Sequence, residues 1–143
     1  MKEKVIGYTT GVFDMFHVGH LNILKKAKEQ CDYLIVGVST DELVNSYKSH
    51  APVVPFEQRI EIVKAIKYVD EVVPQVSLDK REAWNVLKFD ILFHGSDWAN
   101  SELYKDIVSK LNEVGVKTVF IPYTPNVSSS MLREKKQELG ESN

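Results

Sequence analysis

Short apolar stretches alternate along the chain with longer segments in which apolar residues recur every three or four positions. Residues 18–30 show this helical spacing with lysines between, which predicts a helix with one buried stripe. Residues 33–38 are apolar throughout, as is typical of a strand covered on both faces. The same patterns predict strands at 5–10, 69–74, 91–93 and 116–121, and helices at 41–47, from 56, at 80–87, at 102–114 and from 128.

Regular alternation of strands and helices with short connections indicates an α/β, Rossmann-like fold: a doubly wound parallel sheet with helices on both faces. The length of 143 residues fits a single domain, with residues 140–143 frayed at its end. Ligands of such sheets bind beyond the carboxyl ends of the strands. Because polar residues follow three of the predicted strands, at 10–20, 94–98 and 124–130, we expect a functional site there.

Composition narrows the classes of partner. Lysine and arginine number 18 against 20 aspartates and glutamates, a net charge of −2 that argues against a bulk electrostatic binder of nucleic acid. The single cysteine, Cys31, excludes a disulfide framework and fits a reducing compartment. Apolar runs are far shorter than the roughly 20 residues that cross a bilayer, and the N-terminus lacks a signal-like apolar region. We therefore expect a cytoplasmic protein with no nucleic-acid or membrane partner.

The sharpest local signal is the segment His17-Val18-Gly19-His20 at the start of a predicted helix. Histidines three apart lie on one side of the first turn, and Gly19 lets backbone or ligand approach closely. Two ring N–H donors beside the free amides of a helix N-terminus suit phosphate oxygens. A zinc site would need further ligands, and only Asp14 is near in sequence, so we expect no protein-bound metal.

Residues 11–20, which include both histidines, resemble the signature of the HxGH nucleotidyltransferase superfamily. Within that superfamily the segment is most similar to the cytidylyltransferases that make CDP-glycerol, CDP-choline and CDP-ethanolamine. The similarity continues through 32–43, 57–59, 68–73 and 128–130, so 1–143 is expected to be one nucleotidyltransferase domain. The resemblance implies transfer of a cytidylyl group from CTP to a small phosphorylated alcohol, with glycerol 3-phosphate the first candidate. It further implies pyrophosphate release, Mg²⁺ carried by the nucleotide, and a homodimer.

The resemblance also implies roles for individual residues. His17, His20 and Lys48 would be catalytic, the histidines donating to the triphosphate and Lys48 reaching the α-phosphate and the incoming phosphate. The residues expected to bind nucleotide are Thr10, Gly11, Phe13, Asp14, Gly19, Asp97, Thr124, Ser128, Ser129 and Ser130. The residues expected to bind substrate are Lys48, Arg59, Asp97 and Trp98.

Simpler structural roles stand beside these. Arg59 on a helix surface could form a salt bridge, Phe13 could pack, and Trp98 could belong to a core or a lid wall. Lys48 could be solvated surface, and Ser128 a plain helix cap.

The last segment departs from the family pattern, because Tyr123 stands where the family usually has an arginine. A tyrosine can stack or donate one hydrogen bond but brings no charge. Two alternatives stay open. One is an adenylyltransferase that joins ATP to a heptose phosphate, FMN or a pantetheine phosphate. The other is a non-catalytic module that senses a nucleotide.

Overall fold

In the computed structural model, residues 4–48, 50–95 and 102–122 are described. The strands are β1 (Ile6–Gly11), β2 (Tyr33–Ser39), β3 (Glu71–Gln75), β4 (Ile91–Gly95) and β5 (Lys117–Ile121). The helices are α1 (Val18–Glu29), α2 (Asp41–Tyr47), α3 (Phe56–Lys64), α4 (Lys80–Leu87) and α5 (Glu102–Glu113). The helix predicted from residue 128 lies outside the described residues.

The five strands form one sheet in the order β3-β2-β1-β4-β5, and every neighbouring pair is parallel. The chain moves outward from β1 to β2 and β3, then returns to place β4 on the other side of β1. Strand order therefore reverses between β1 and β4, which confirms the doubly wound α/β fold. A ligand site is expected at this reversal, beyond the carboxyl ends of the strands.

Helices cover both faces of the sheet, and each face has its own apolar cluster. Residues of β2 alternate between them, with Val36 facing one cluster and Ile35 the other. The first cluster receives Leu24 and Ala27 from α1 and Val63 from α3. The second receives Ile107 and Leu111 from α5, with Ala83, Trp84 and Leu87 of α4 packed against it.

One close contact inside the sheet depends on a glycine. A Cβ added to Gly37 in β2 would lie 2.5 Å from the hydroxyl oxygen of Tyr8 and 3.1 Å from Cγ2 of Thr10. Tyr8 is buried in the second cluster, where its ring stacks on Phe89 with the centroids 4.9 Å apart. Gly37 thus leaves the space that the Tyr8 ring occupies.

Several boundaries differ by one or two residues from the sequence-based prediction, and two of the differences involve the turn after α3. β3 begins at Glu71 rather than at residue 69, because the N–H of Val69 turns back to the carbonyl of Ile66. Helical spacing from residue 56 predicts Ile66 on the buried side of the same helix, but α3 ends at Lys64 and Ile66 reaches the first cluster from the turn that follows. Within the part of the chain that the structure describes, no helix has the length and apolar character needed to cross a bilayer.

Candidate active site

His17 and His20 form the first turn of α1, directly after the loop that leaves β1. His17 is the N-cap, and its Nδ1 accepts the Gly19 N–H at 3.0 Å. The Nδ1 of His20 accepts the backbone N–H of His17 at 3.3 Å. This reciprocal arrangement is a capping box built from two imidazoles in place of the usual hydroxyl and carboxylate. The two rings stack with their centroids 3.9 Å apart and their planes 21° apart.

The capping bonds fix where the two rings carry their protons. Because each Nδ1 accepts a backbone N–H, a neutral ring must carry its proton on Nε2. The Nε2 of His17 is buried and has no hydrogen-bond partner among the described residues. An unsatisfied buried donor costs free energy that a ligand can recover. The start of α1 therefore offers a ring donor, where helix amides and the helix dipole also favour an anion.

Both rings are held in the neutral form. Burial and, to a smaller extent, the neighbouring His17 lower the pKa of His20 to about 3, against the opposing charge of Asp14. Burial also lowers the pKa of His17 below its usual value. At neutral pH the pair consists of two polar donors without net charge. Such donors can stabilise charge that builds up on phosphate oxygens during a reaction.

Aromatic side chains from the β1–α1 loop surround His20. The ring centroid of Phe13 lies 5.4 Å from that of His20, and that of Phe16 lies 5.2 Å away. Phe13 is buried in the first apolar cluster, which shows the packing role that its sequence also allowed. Phe13 and Met15 adopt the left-handed region, with φ of 55° and 50°. Their conformations are costly for residues other than glycine, so the loop is held in shape by its surroundings.

Asp14 joins this loop to the segment before α3. Its two carboxylate oxygens accept the N–H groups of Val53 and Val54, each at 2.8 Å. Asp14 is buried, and charge-assisted bonds of this kind are stronger than bonds between neutral groups. The structure thus places Asp14 as an organiser of two loops, close enough for its charge to act on His20.

Arg59 lies 1% exposed beneath the site, with its guanidinium turned towards protein acceptors. It donates to the carbonyls of Val54, Val12 and Ser39 at 2.8, 2.6 and 2.8 Å. It also forms an ion pair with Asp41 at 2.6 Å. The salt bridge that the sequence allowed is present, and it is buried on the arginine side rather than on a helix surface. Arg59 connects the loops that follow β1 and β2.

Some of the other predicted residues lie beside the histidine pair, one lies on the surface after α2, and the rest fall outside the described residues. Thr10 and Gly11 end β1, and Gly19 is buried in the first turn of α1 beside the histidines. Lys48 follows α2 on the exposed surface, where its Nζ lies 5.9 Å from the centre of the Tyr47 ring. Outside the described residues lie Asp97, Trp98, Tyr123, Thr124, Ser128, Ser129 and Ser130.

A second polar group lies at the same edge of the sheet, and the sequence analysis gave no role to two of its members, Gln75 and Lys80. Gln75 ends β3, Lys80 begins α4, and His94 lies near the end of β4. Burial lowers the pKa of Lys80 to about 8, and burial together with the charge of Lys80 lowers the pKa of His94 to about 3. The positions of Gln75 and His94 at the carboxyl ends of β3 and β4 were the available signal. The burial of Lys80 depends on how α4 packs, which the local sequence does not show.

Within the described ranges, no three histidine, cysteine, aspartate or glutamate side chains gather closely enough to hold an ion. The carboxylate of Asp14 already accepts two backbone N–H groups.

Known proteins resemble this chain over most of its length. The family described as cytidylyltransferase-like matches residues 8–135. A glycerol-3-phosphate cytidylyltransferase from Bacillus subtilis is 34% identical over 141 residues, covering 93% of this chain and 96% of that protein. An FAD synthase from Pyrococcus horikoshii is 41% identical over 127 residues, covering 85% of this chain and 82% of that protein.

A solved structure shares the fold of this chain. A lipopolysaccharide core biosynthesis protein from Thermoplasma volcanium superposes with a TM-score of 0.71 at 26% identity, covering 85% of this chain and 97% of that chain. The two sequence relatives are enzymes that transfer nucleotidyl groups, which favours catalysis over nucleotide sensing. With its site at the reversal of strand order, the chain belongs to the cytidylyltransferase-like family and is a nucleotidyltransferase.

Proposed function

We propose that this nucleotidyltransferase transfers a cytidylyl group from CTP to a small phosphorylated alcohol, with glycerol 3-phosphate the first candidate. The observation that carries the proposal is the buried, unpartnered Nε2 of His17 at the start of α1, among the described residues. It is supported by similarity to glycerol-3-phosphate cytidylyltransferases over 93% of the chain.

In the proposed reaction, an oxygen of the acceptor phosphate attacks the α-phosphorus of CTP. A new P–O bond forms, the bond between the α-phosphorus and the bridging oxygen breaks, and pyrophosphate leaves with the electron pair. A phosphate monoester has a second pKa near 6, so it is already an anionic nucleophile at neutral pH. The protein therefore needs no general base and acts by alignment and electrostatics.

His17 and His20 would bind phosphate oxygens of the nucleotide. Since both Nδ1 atoms are engaged by backbone N–H groups, only the Nε2 atoms can face the ligand as donors. With a pKa of about 3, His20 would act as a neutral hydrogen-bond donor and not as a proton donor. The helix N-terminus adds its positive dipole to the same oxygens.

Lys48 would supply a full positive charge between the two reacting phosphates. It is the C-cap of α2 and lies on an exposed segment. Mg²⁺ would arrive with the triphosphate and neutralise its charge, since the carboxylate of Asp14 is engaged by Val53 and Val54.

A second candidate is adenylyl transfer from ATP to FMN. It is favoured by the similarity to archaeal FAD synthases, at 41% identity over 127 residues for one and 40% over 119 for another. The two candidates share the histidine pair and the phosphoryl chemistry, and differ in the base and the acceptor.

A direct test incubates the protein with Mg²⁺, labelled CTP or ATP, and each of several acceptors: glycerol 3-phosphate, phosphocholine, FMN and a heptose phosphate. We expect CTP with glycerol 3-phosphate to give the fastest release of pyrophosphate. If ATP outcompetes CTP with every acceptor, the cytidylyl proposal is wrong. CTP binding without turnover on any acceptor would contradict catalysis and favour a module that senses the nucleotide.

A further inference from the structure

Among the described residues, three aromatic rings lie against the imidazole of His20. The ring centroid of Phe13 lies 5.4 Å from that of His20 with the planes 68° apart, and that of Phe16 lies 5.2 Å away with the planes 45° apart. The third ring is that of His17, stacked with its centroid 3.9 Å away. Aromatic pairs at such separations favour particular orientations, so each neighbour restricts how the His20 ring can turn.

The hydrogen bond of the His20 ring does not fix its orientation alone. Nδ1 of His20 accepts the backbone N–H of His17 at 3.3 Å, a length at the weak end of the usual range. A bond of this length restrains the ring weakly, because hydrogen bonds lose strength with distance. The packing of the neighbouring rings must therefore supply much of the restraint that keeps Nε2 in place.

The two phenyl rings differ in how deeply they belong to the core. Phe13 is 7% exposed and is a member of the first cluster, whereas Phe16 is only partly buried and packs against that cluster. Their centroids are 6.3 Å apart, with the planes 30° apart. Replacing Phe13 would open the core, but replacing Phe16 removes less buried surface. The effect of Phe16 on His20 can therefore be separated from its effect on the fold.

The backbone of the β1–α1 loop brings both phenyl rings to the same imidazole. Phe13 and Met15 have φ of 55° and 50°, a region that side chains disfavour. Asp14 between them is held by the N–H groups of Val53 and Val54, each at 2.8 Å. A loop with two such residues persists only where its contacts outweigh their cost. Contact of the phenyl rings with His20 is one of the interactions that this conformation gains.

The same rings shape the chemistry of the His20 imidazole. Burial is the largest cause of its lowered pKa, His17 lowers the pKa as well, and the charge of Asp14 opposes both. Phe13 and Phe16 bring apolar surface to the ring and no charge. Without one of them water would reach the imidazole, and water favours the charged form. The phenyl rings thus help to keep His20 a neutral donor.

We propose that Phe16 is a positioning residue, which holds the imidazole of His20 in the orientation that presents Nε2 to the phosphates of the nucleotide and keeps water from the ring. This inference rests on the proposed function, since Phe16 acts through His20. Phe16 contributes no polar atom to the reaction. Its effect comes from precision, because a catalytic group displaced by about 1 Å can cost about 10² in rate.

The kinetic test uses three variants of Phe16 and a matched control. Phe16→Tyr keeps an aromatic ring, Phe16→Leu keeps apolar bulk without a flat face, and Phe16→Ala removes both. The control is Ile66→Ala, because Ile66 is also partly buried against the first cluster but reaches it from the turn after α3. Pyrophosphate release from CTP with glycerol 3-phosphate gives kcat and KM, and thermal unfolding gives stability. If wild type turns over another nucleotide and acceptor, the kinetics use that pair.

Phe16→Ala should lower kcat by about 10² and Phe16→Leu by about tenfold, with the KM for CTP within about threefold of wild type. Phe16→Tyr should keep kcat within about threefold of wild type, since it retains the ring contact. Ile66→Ala should lose a melting temperature comparable to that lost by Phe16→Ala and keep its kcat. In a His20→Gln background, Phe16→Ala should change kcat by less than about twofold, because no imidazole is left to position.

NMR of the His20 ring nitrogens gives a second readout that needs no turnover. At pH 7 wild type should show a single neutral tautomer with its proton on Nε2, since Nδ1 accepts a backbone N–H. Phe16→Ala should show both tautomers and a ring that titrates between about pH 5 and 8, because the ring turns more freely and water reaches it.

A wild-type kcat in Phe16→Ala, or an equal loss of kcat in the wild-type and His20→Gln backgrounds, would overturn the inference while leaving nucleotidyl transfer intact. Absence of turnover by wild type with every nucleotide and acceptor would instead contradict the proposed function. The NMR comparison then decides the inference, and a single Nε2 tautomer that does not titrate in Phe16→Ala would overturn it. If Phe16→Ala fails to fold, Phe16→Leu replaces it in each measurement.

Discussion

The imidazole rings of His17 and His20 stack with their centroids 3.9 Å apart, and the Nδ1 of each ring accepts a backbone N–H of the same helical turn. The pair therefore has two functions that a single alanine substitution would remove together. One is to cap α1, and the other is to present ring donors at its N-terminus. Substitutions that keep the cap can separate the two.

His17→Asn and His20→Gln should each lower kcat by about 10²–10³, the usual effect of losing a donor to the transition state. Asparagine is a good N-cap and glutamine suits the third helical position, so the melting temperature should change little. His17→Ala should lose the same activity and in addition about 1 kcal/mol of stability. Steady-state kinetics and thermal unfolding measure both effects. A wild-type kcat in His17→Asn and His20→Gln would remove the ring donors from the mechanism.

The lowered histidine pKa values predict how stability depends on pH. Between about pH 6.5 and 3 the unfolded chain binds protons at His20 and His94, while the folded chain, with both pKa values near 3, does not. The free energy of unfolding should therefore fall as the pH drops from 7 to 5, by about 1–2 kcal/mol for each histidine. Urea unfolding at several pH values measures the slope.

The same pKa values make a spectroscopic prediction. NMR signals of the His20 ring should stay constant between pH 8 and 5 in the folded protein and titrate near 6.5 in urea. A folded-state titration of His20 near pH 6.5 would show a ring that is solvated or paired with an anion, in conflict with the buried neutral donor.

Arg59 should contribute far more stability than an exposed cation. Arg59→Met would leave Asp41 unpaired and three backbone carbonyls without their donor, at a cost of about 3–5 kcal/mol. Lys28→Met is the matched control, because Lys28 pairs with Asp70 at 2.6 Å on the surface. That change should cost no more than about 1 kcal/mol. Denaturant unfolding of both variants tests the contrast, and equal losses would contradict it.

The contact between Gly37 and Tyr8 predicts a rescue. Gly37→Ala places a methyl group 2.5 Å from the Tyr8 hydroxyl oxygen and should destabilise the fold by about 1–3 kcal/mol. Adding Tyr8→Phe removes that oxygen and should recover about 1 kcal/mol of the loss in a double-mutant cycle. Gly7→Ala is the control, because its Cβ would meet Phe93 and Cys31 instead. If Tyr8→Phe stabilised Gly7→Ala as much as Gly37→Ala, the recovery would be a general effect of Tyr8→Phe on stability. It would then not report the contact between Gly37 and Tyr8.

Local patterns predicted the elements well, since periodicity and caps act within a few residues. α4 spans Lys80–Leu87 and α2 spans Asp41–Tyr47, as the sequence indicated. The histidine pair at the start of α1 was also evident, because its spacing and glycine are local features. The resemblance to the cytidylyltransferases includes these same residues.

Features that depend on distant parts of the chain were not predictable in the same way. Arg59 gave no sign that it would be buried, since its acceptors Val12 and Ser39 precede it by 47 and 20 residues. Gln75 and Lys80 looked like an ordinary strand end and helix start. Only the packing of α4 over the sheet encloses their polar groups beside a cavity.

The position of Arg59 has a consequence for how roles are inferred across relatives. One side chain ties the turn after β1, the end of β2 and the segment before α3, without having to touch a ligand. In an alignment it would vary as little as a residue that holds substrate, because loosening any of the three segments would displace the others. A residue that does not vary at such a position can be required by the fold as readily as by the reaction, and only a structure tells the two apart.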